Sequence, residues 1–208
     1  MNSRLERVSI AGPAGELQTV VEDPGTAATR YAVVCHPHPL FGGTMDNKVV
    51  TTIVRALNQA GIATLRFNFR GVGSSAGVFD QGAGETDDAD AVASWGAQRW
   101  PGRALVLAGF SFGAAIALRL TQRRLPQHLI TVAPAIALFD ASAMPVPRCP
   151  WLVIQGDADD VVDPRAVIHW VEGLDPKPQL TLLPGVGHFF HGRLQELRDA
   201  VFDAIRSG

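Results

Sequence analysis

A serine at position 111 stands where a side chain can do covalent chemistry. The segment Ala104–Leu120 reads ALVLAGFSFGAAIALRL: a short apolar run ends in Gly109-Phe110-Ser111-Phe112-Gly113 and passes at once into an Ala/Leu-rich helical pattern. That context predicts a tight strand-to-helix turn, with the Ser111 hydroxyl exposed and aligned with a helix N-terminus. Glycines two residues to either side suit a turn whose backbone segments approach too closely for a Cβ. Ser111 is the candidate nucleophile. A second Gly-x-Ser-x-Gly match, Gly73-Ser74-Ser75-Ala76-Gly77, lacks the context. Arg70–Val72 separate it from the strand pattern before it, and only the Gly-rich GVFDQGAGE follows. Ser75 reads as a loop residue.

A serine hydroxyl is a weak nucleophile until a base removes its proton, and the base needs a carboxylate to fix its tautomer. Among the later histidines, His169 lies within the helical pattern RAVIHWVEGL, as a packing or surface residue. His188 follows Gly185-Val186-Gly187, a flexible turn leaving the last strand pattern, and His191 is three residues further on. The acid-rich turn QGDADDVV offers Asp157, Asp159 and Asp160. His36 and His38 form an H-x-H pair, but no third ligand cluster has metal-site spacing, and the prolines around His38 imply a rigid loop. No metal is expected. Gly71, Gly73 and Gly77 have the glycines of a dinucleotide loop without the helix that must follow, so no cofactor is expected either.

The elements that would carry these residues alternate. Stretches 5–10 and 16–22 flank Gly12-Pro13-Ala14-Gly15, a hairpin signal. Ala32–Cys35 reads as a short buried strand. Asp46 is expected to cap a helix with Val49, Val50, Ile53, Val54 and Leu57 at helical spacing, stopped by Gly61. Ile62–Phe69 reads as a strand, and a Gly-rich loop extends to about Gly84. Glu85, Asp87 and Asp88 then stand where a helix dipole favours acids, opening a helix to about Arg99. Strands are expected at Arg103–Phe110, Leu129–Val132, Pro150–Gln155 and Gln179–Leu183. Asp163-Pro164 opens a helix ending at Gly173, and Leu194, Leu197, Val201, Phe202 and Ile205 stripe the last one. This predicts one domain over residues 1–208: a mostly parallel sheet, helices on both faces, behind an N-terminal antiparallel hairpin.

Composition bounds the partners. The chain has 208 residues, 47% hydrophobic and 18% charged, enough to bury a sizeable core. With a net charge of −2 and no basic run longer than Arg123-Arg124, nucleic acid and anionic membrane are not expected partners. MNSRLERVSI lacks the apolar stretch of a signal peptide, and no 18-residue apolar span occurs. Cys35 and Cys149 sit in apolar stretches as reduced, buried thiols. These features point to the cytoplasm.

Five motifs, in order, resemble the α/β-hydrolase superfamily: CHPHPLFGGT (35–44), RFNFRGVGS (66–74), Gly109–Gly113, QGDADDVV (155–162) and GVGHFF (185–190). More narrowly, HPHPLFGGTMDNKVV resembles a group of small, esterase-like bacterial hydrolases. The resemblance implies the order nucleophile, acid, histidine, so only His169, His188 and His191 qualify as base, and it places that base at His188. Its Gly-x-x-Asp-x-x-Val pattern lands on Gly156, Asp159 and Val162, which implies Asp159 as the acid. A tetrahedral intermediate needs at least two backbone donors, and the resemblance implies the Phe112 amide as one. The other comes from the loop after Ala32–Cys35, where Pro37 and Pro39 have no N–H, leaving His38, Leu40 and Phe41. Aligning His38-Pro39-Leu40 with the family's His-Gly-x favours Leu40.

Many members of that superfamily carry a helical lid between the strand after the nucleophile helix and the strand before the acid. Here that interval, APAIALFDASAMPVPRC, is too short for a multi-helix cap. A shallow site suits a small acyl ester or thioester. Phe41, Phe139 and Phe189 are candidate substrate-binding residues, with Phe79, Phe112 and Met144 nearby. The function expected is a serine esterase working through an acyl-enzyme. A thioesterase or acyl-peptide hydrolase with the same triad is the alternative, and a non-catalytic binding module of this fold a third.

Overall fold

In a computed structural model, the chain is described over residues 4–25, 27–138 and 146–207. Strand β1 (Arg4–Gly12) turns back into β2 (Gly15–Asp23), paired antiparallel from Arg4↔Asp23 to Gly12↔Gly15. The remaining strands are β3 (Arg30–Cys35), β4 (Ala63–Phe67), β5 (Ala104–Phe110), β6 (His128–Val132), β7 (Trp151–Gly156) and β8 (Gln179–Leu183). The sheet order is β1-β2-β4-β3-β5-β6-β7-β8, with β2 antiparallel to β4 and every pair from β4 to β8 parallel.

Side chains of a strand buried on both faces alternate between two cores. In β5, Leu105 and Leu107 join one core, while Val106, Ala108 and Phe110 join the other. The first core is closed by α2 (Ala83–Arg99), α3 (Phe112–Leu120) and α4 (Pro164–Glu172) through residues such as Val92, Ile116 and Val167. The second is closed by α1 (Lys48–Gln59) and α5 (Leu194–Ser207), through Ile53, Leu57, Leu197 and Val201. The expected α/β architecture is borne out, including the α1 and α5 stripes read from spacing.

Two local expectations are corrected, and a third is made more specific. Asn47, not Asp46, caps α1: its carboxamide oxygen accepts the Val49 N–H at 2.8 Å, while Asp46 pairs with Arg66. Strand β4 ends at Phe67 rather than Phe69: the next amide still reaches β2, but the one after it turns away to a side chain. The Asn68 N–H donates to the Gln18 carbonyl at 2.9 Å and the Phe69 N–H to His36 Nε2 at 3.0 Å. The acids of α2 have specific partners: Glu85 accepts from the Gly82 and Asp80 amides, Asp87 pairs with Arg123, and Asp88 pairs with Arg70.

The chain moves from β3 to β4 on one side and returns to β5 on the other. This reversal opens a crevice at the carboxyl ends of β3 and β5, where open α/β sheets bind ligands. The loops leaving β3, β5, β6, β7 and β8 meet along that edge.

Candidate active site

Ser111 follows β5 directly and precedes α3. Its backbone is at φ 56°, ψ −117°, a conformation that costs a non-glycine residue roughly 1–3 kcal/mol unless the surroundings impose it. They do. The Ser111 N–H donates to the Val132 carbonyl at 2.9 Å, and its carbonyl accepts from Ala114, Ala115 and Ala135 at 3.1, 3.3 and 3.2 Å. A Cβ on Gly113 would collide with the Cys35 and His36 carbonyl oxygens, and one on Gly109 with the Gly113 carbonyl. Gly113 lets the helix start press against the end of β3, and Gly109 lets it press against β5. Ser111 is only 7% exposed, so it is more enclosed than the sequence suggested, but it lines a cavity of about 620 Å³.

His188 lines the same cavity. It lies in the β8–α5 loop, its ring between Phe110 and Phe189 with centroids 4.9 and 5.0 Å away. Its Nδ1 meets Asp159 Oδ2 at 2.8 Å. With the carboxylate as acceptor, Nδ1 carries the proton and Nε2 is left as the basic nitrogen. Asp159 is buried in the loop after β7. Its Oδ1 accepts the Val161 and Val162 amides at 2.9 and 2.8 Å, and its Oδ2 also accepts Gln155 Nε2 at 3.0 Å. Burial works to raise this carboxyl's pKa, yet the His188 and backbone hydrogen bonds outweigh it and hold it below the usual value.

The other candidates separate cleanly. Asp157 Oδ1 accepts the Gly185 N–H at 2.6 Å, tying the acid loop to the histidine loop, and Asp160 is exposed. Asp163 caps α4 through the Arg165 N–H, as the sequence predicted. His169 and His191 are both exposed, and His191 stacks on Phe189 at 5.9 Å. Ser75 does lie in a loop, but buried, accepting the Gln18 N–H and donating to the Asn68 carbonyl.

The loop after β3 needs a correction. The Leu40 N–H, expected as an oxyanion donor, donates to His38 Nδ1 at 3.2 Å, and Leu40 does not line the cavity. The Phe41 and Gly43 amides both donate to the His38 carbonyl at 3.1 and 3.0 Å. Three amides thus turn inward onto His38, which itself borders the cavity. The displacement has a simple cause: a His-Pro turn closes by bonding back to its own histidine. Phe112, the other expected donor, is the first residue of α3.

His36 is not a ligand. Its buried ring donates from Nδ1 to the Pro37 carbonyl at 2.6 Å and accepts the Phe69 N–H on Nε2 at 3.0 Å. Burial pulls its pKa down to about 4. Among the described residues, no group of three or more His, Cys, Asp or Glu could hold a metal ion, and no helix is long and apolar enough to cross a membrane. Both cysteines are free thiols. Cys35 is buried as expected, while Cys149 is only half-buried.

Of the expected pocket residues, Phe41 and Phe189 border the cavity, 86% and 44% exposed. Phe79 and Phe112 instead pack beneath the His38 ring, with centroids 4.9 Å from it. Phe139 and Met144 lie outside the described residues. Ile136 and Leu138, which no motif marked, complete the apolar wall together with Val161 and Val162 of the acid-rich turn. Gln155 was also missed: a glutamine ending a strand pattern gives no local sign that it will face a carboxylate four residues on.

The chain and its fold have counterparts among known proteins. A family model described as serine aminopeptidase, S33, matches residues 32–149. An α/β serine hydrolase without lid from Xanthomonas campestris is 46% identical with a TM-score of 0.93, covering 98% of this chain and 94% of its own. An α/β serine hydrolase homologue from Coxiella burnetii is 42% identical with a TM-score of 0.92, the alignment covering 95% and 96% of the two chains. An uncharacterised protein of Rickettsia prowazekii is 35% identical over 97% of this chain and 89% of its own. A family model matched over more than half of the chain and relatives matched almost end to end lead to one assignment: the chain belongs to the α/β serine hydrolases, in the family described as serine aminopeptidase, S33.

Proposed function

We propose that the protein hydrolyses small carboxylic esters through an acyl-enzyme, with Ser111 as nucleophile, His188 as general base and Asp159 as the acid that orients it. The observation that carries this reading is the shared cavity: Ser111 and the Asp159-bound His188 open onto one largely apolar wall. Ser111 Oγ attacks the ester carbonyl while His188 Nε2 takes its proton. Two backbone amides hold the oxyanion, from Phe112 and, in place of Leu40, from His38. Collapse expels the alcohol, which takes the proton from His188. Water then repeats the sequence on the acyl-enzyme and frees the acid.

The walls favour an uncharged, apolar group. Among the described residues lining the cavity none is Lys or Arg, so nothing there would pair with the phosphates of a coenzyme-A thioester. One feature favours the alternative of an amine-bearing acyl-peptide substrate: Asp163, the acidic cap of α4, is among the residues that line the cavity.

Fluorophosphonate labelling and a series of p-nitrophenyl acyl esters, set against acyl-CoA and aminoacyl anilides, test the proposal. Wild type should be labelled and Ser111→Ala should not. Asp159→Asn should lower kcat by roughly 10³–10⁴, and Asp157→Asn by less than about tenfold. Each added acyl methylene that reaches the wall should raise kcat/KM about fourfold, from roughly 0.8 kcal/mol of burial. Equal labelling of Ser111→Ala overturns the nucleophile. Preference for the anilides moves the substrate to the amine-bearing class.

A further inference from the structure

Gln155 is fully buried near the end of β7, and its amide has an uneven set of partners. Nε2 donates to Asp159 Oδ2 at 3.0 Å and to the Gly156 carbonyl at 3.1 Å, while Oε1 has no hydrogen-bond partner among the described residues. The opposite amide orientation would set Oε1 against two acceptors, so chemistry fixes the donor toward the carboxylate. A buried acceptor without a donor is unfavourable, and an apolar side chain of the same volume would avoid it. The site keeps a glutamine despite that cost to the fold.

Asp159 Oδ2 is therefore shared between two donors, His188 Nδ1–H and Gln155 Nε2–H. Oδ1 is saturated by two amides, so the carboxylate can neither rotate nor take up a proton without breaking a bond. We infer that Gln155 is a positioning residue for the proton relay: it locks the Asp159 carboxylate in the plane His188 needs and draws off part of its charge. This rests on the triad reading above. The titratable group facing that carboxylate is His188; Asp157 turns to the Gly185 amide, Asp163 to the Arg165 amide, and Asp160 to solvent.

Gln155→Met removes the donor and the orphan oxygen together at similar volume. The expected result is a kcat lower by roughly ten- to a hundredfold, the worth of one hydrogen bond to a charged group, with KM unchanged and Tm not lowered. The acid limb of kcat/KM should move to higher pH, because a carboxylate with one donor fewer attracts the proton shared with its partner more strongly. Gln155→Leu should behave alike. In an Asp159→Asn background the Met substitution should have little further effect. The inference is overturned if Gln155→Met keeps wild-type kcat and an unshifted limb, if it costs as much without the Asp159 carboxylate, or if both variants lose the native fold. Since Ser111→Ala is tested alongside, an inactive Ser111→Ala beside a wild-type Gln155→Met rejects this inference alone, while an active Ser111→Ala rejects the triad.

Discussion

His38 does several jobs at once in the loop after β3. Its carbonyl accepts two amides and its ring accepts a third, so the turn is organised around one residue. Its ring also stacks against Phe41, Phe79 and Phe112, with centroids 4.7 to 4.9 Å apart. The proposed oxyanion role belongs to its own N–H, which can be removed with little distortion because His38 has φ −53°, close to the angle proline imposes. His38→Pro should lower kcat by about 10²–10³ with the fold retained. His38→Ala, which keeps the N–H but loses the ring, should cost much less. Circular dichroism and steady-state kinetics on the pair separate the two parts, and equal losses would assign the effect to the ring.

The elements are held in register by charge as well as by apolar contact. Arg70, in the loop after β4, reaches the first turns of α2. Its Nε and NH2 meet the two Asp88 carboxylate oxygens at 3.0 and 2.7 Å, and the Arg70 amide donates to the same carboxylate at 3.0 Å. The Asp88 side chain is completely buried and that of Arg70 nearly so. Within such a pair, removing one partner strands a desolvated charge, whereas replacing both with apolar residues is far milder. Asp88→Ala should therefore lower unfolding stability by about 3 kcal/mol or more, and Arg70→Met with Asp88→Leu by much less, as read from urea midpoints. Asn47 makes the complementary point: a helix start is set by whichever polar side chain reaches the first amides, and a one-residue offset decides between two adequate caps.

The stability of the whole molecule should carry the signature of His36. That ring, buried between the β3 loop and the exit of β4, needs an unprotonated Nε2 to accept the Phe69 N–H. Its pKa falls to about 4 in the fold, against about 6.5 in an unfolded chain. Between those values the unfolded chain binds the proton and the folded one does not, so stability is complete above about pH 6.5 and is lost as pH falls toward 4. The loss should approach about 1.4 kcal/mol per pH unit across that window. Asp159, held below its usual range, adds a further loss at lower pH, as protonation of its carboxylate displaces one of its four donors and weakens the bonds to the rest. Urea titrations from pH 7 to 4 should show the first slope in wild type and a flatter one in His36→Asn. Parallel slopes would assign the acid sensitivity to other groups.

Much was legible before any coordinates. Apolar period marked nearly every strand and helix, Asp163-Pro164 marked the start of α4, and the spacing around Ser111 marked the turn, because each depends on neighbours within a few residues along the chain. For Asp159 and His188 the residue order needed the resemblance to choose among three acids and three histidines. Folding then joined Asp159 to His188 by a hydrogen bond and brought His188 to the cavity of Ser111. Other outcomes had no local signal: that Leu40 spends its amide on His38, that Phe79 and Phe112 face the core while Phe41 and Phe189 face the cavity, and that Gln155 meets Asp159. A hydrogen-bond partner or a buried face is set by what distant segments bring within 3 or 4 Å, and that distance exists only after the sheet has closed its two cores.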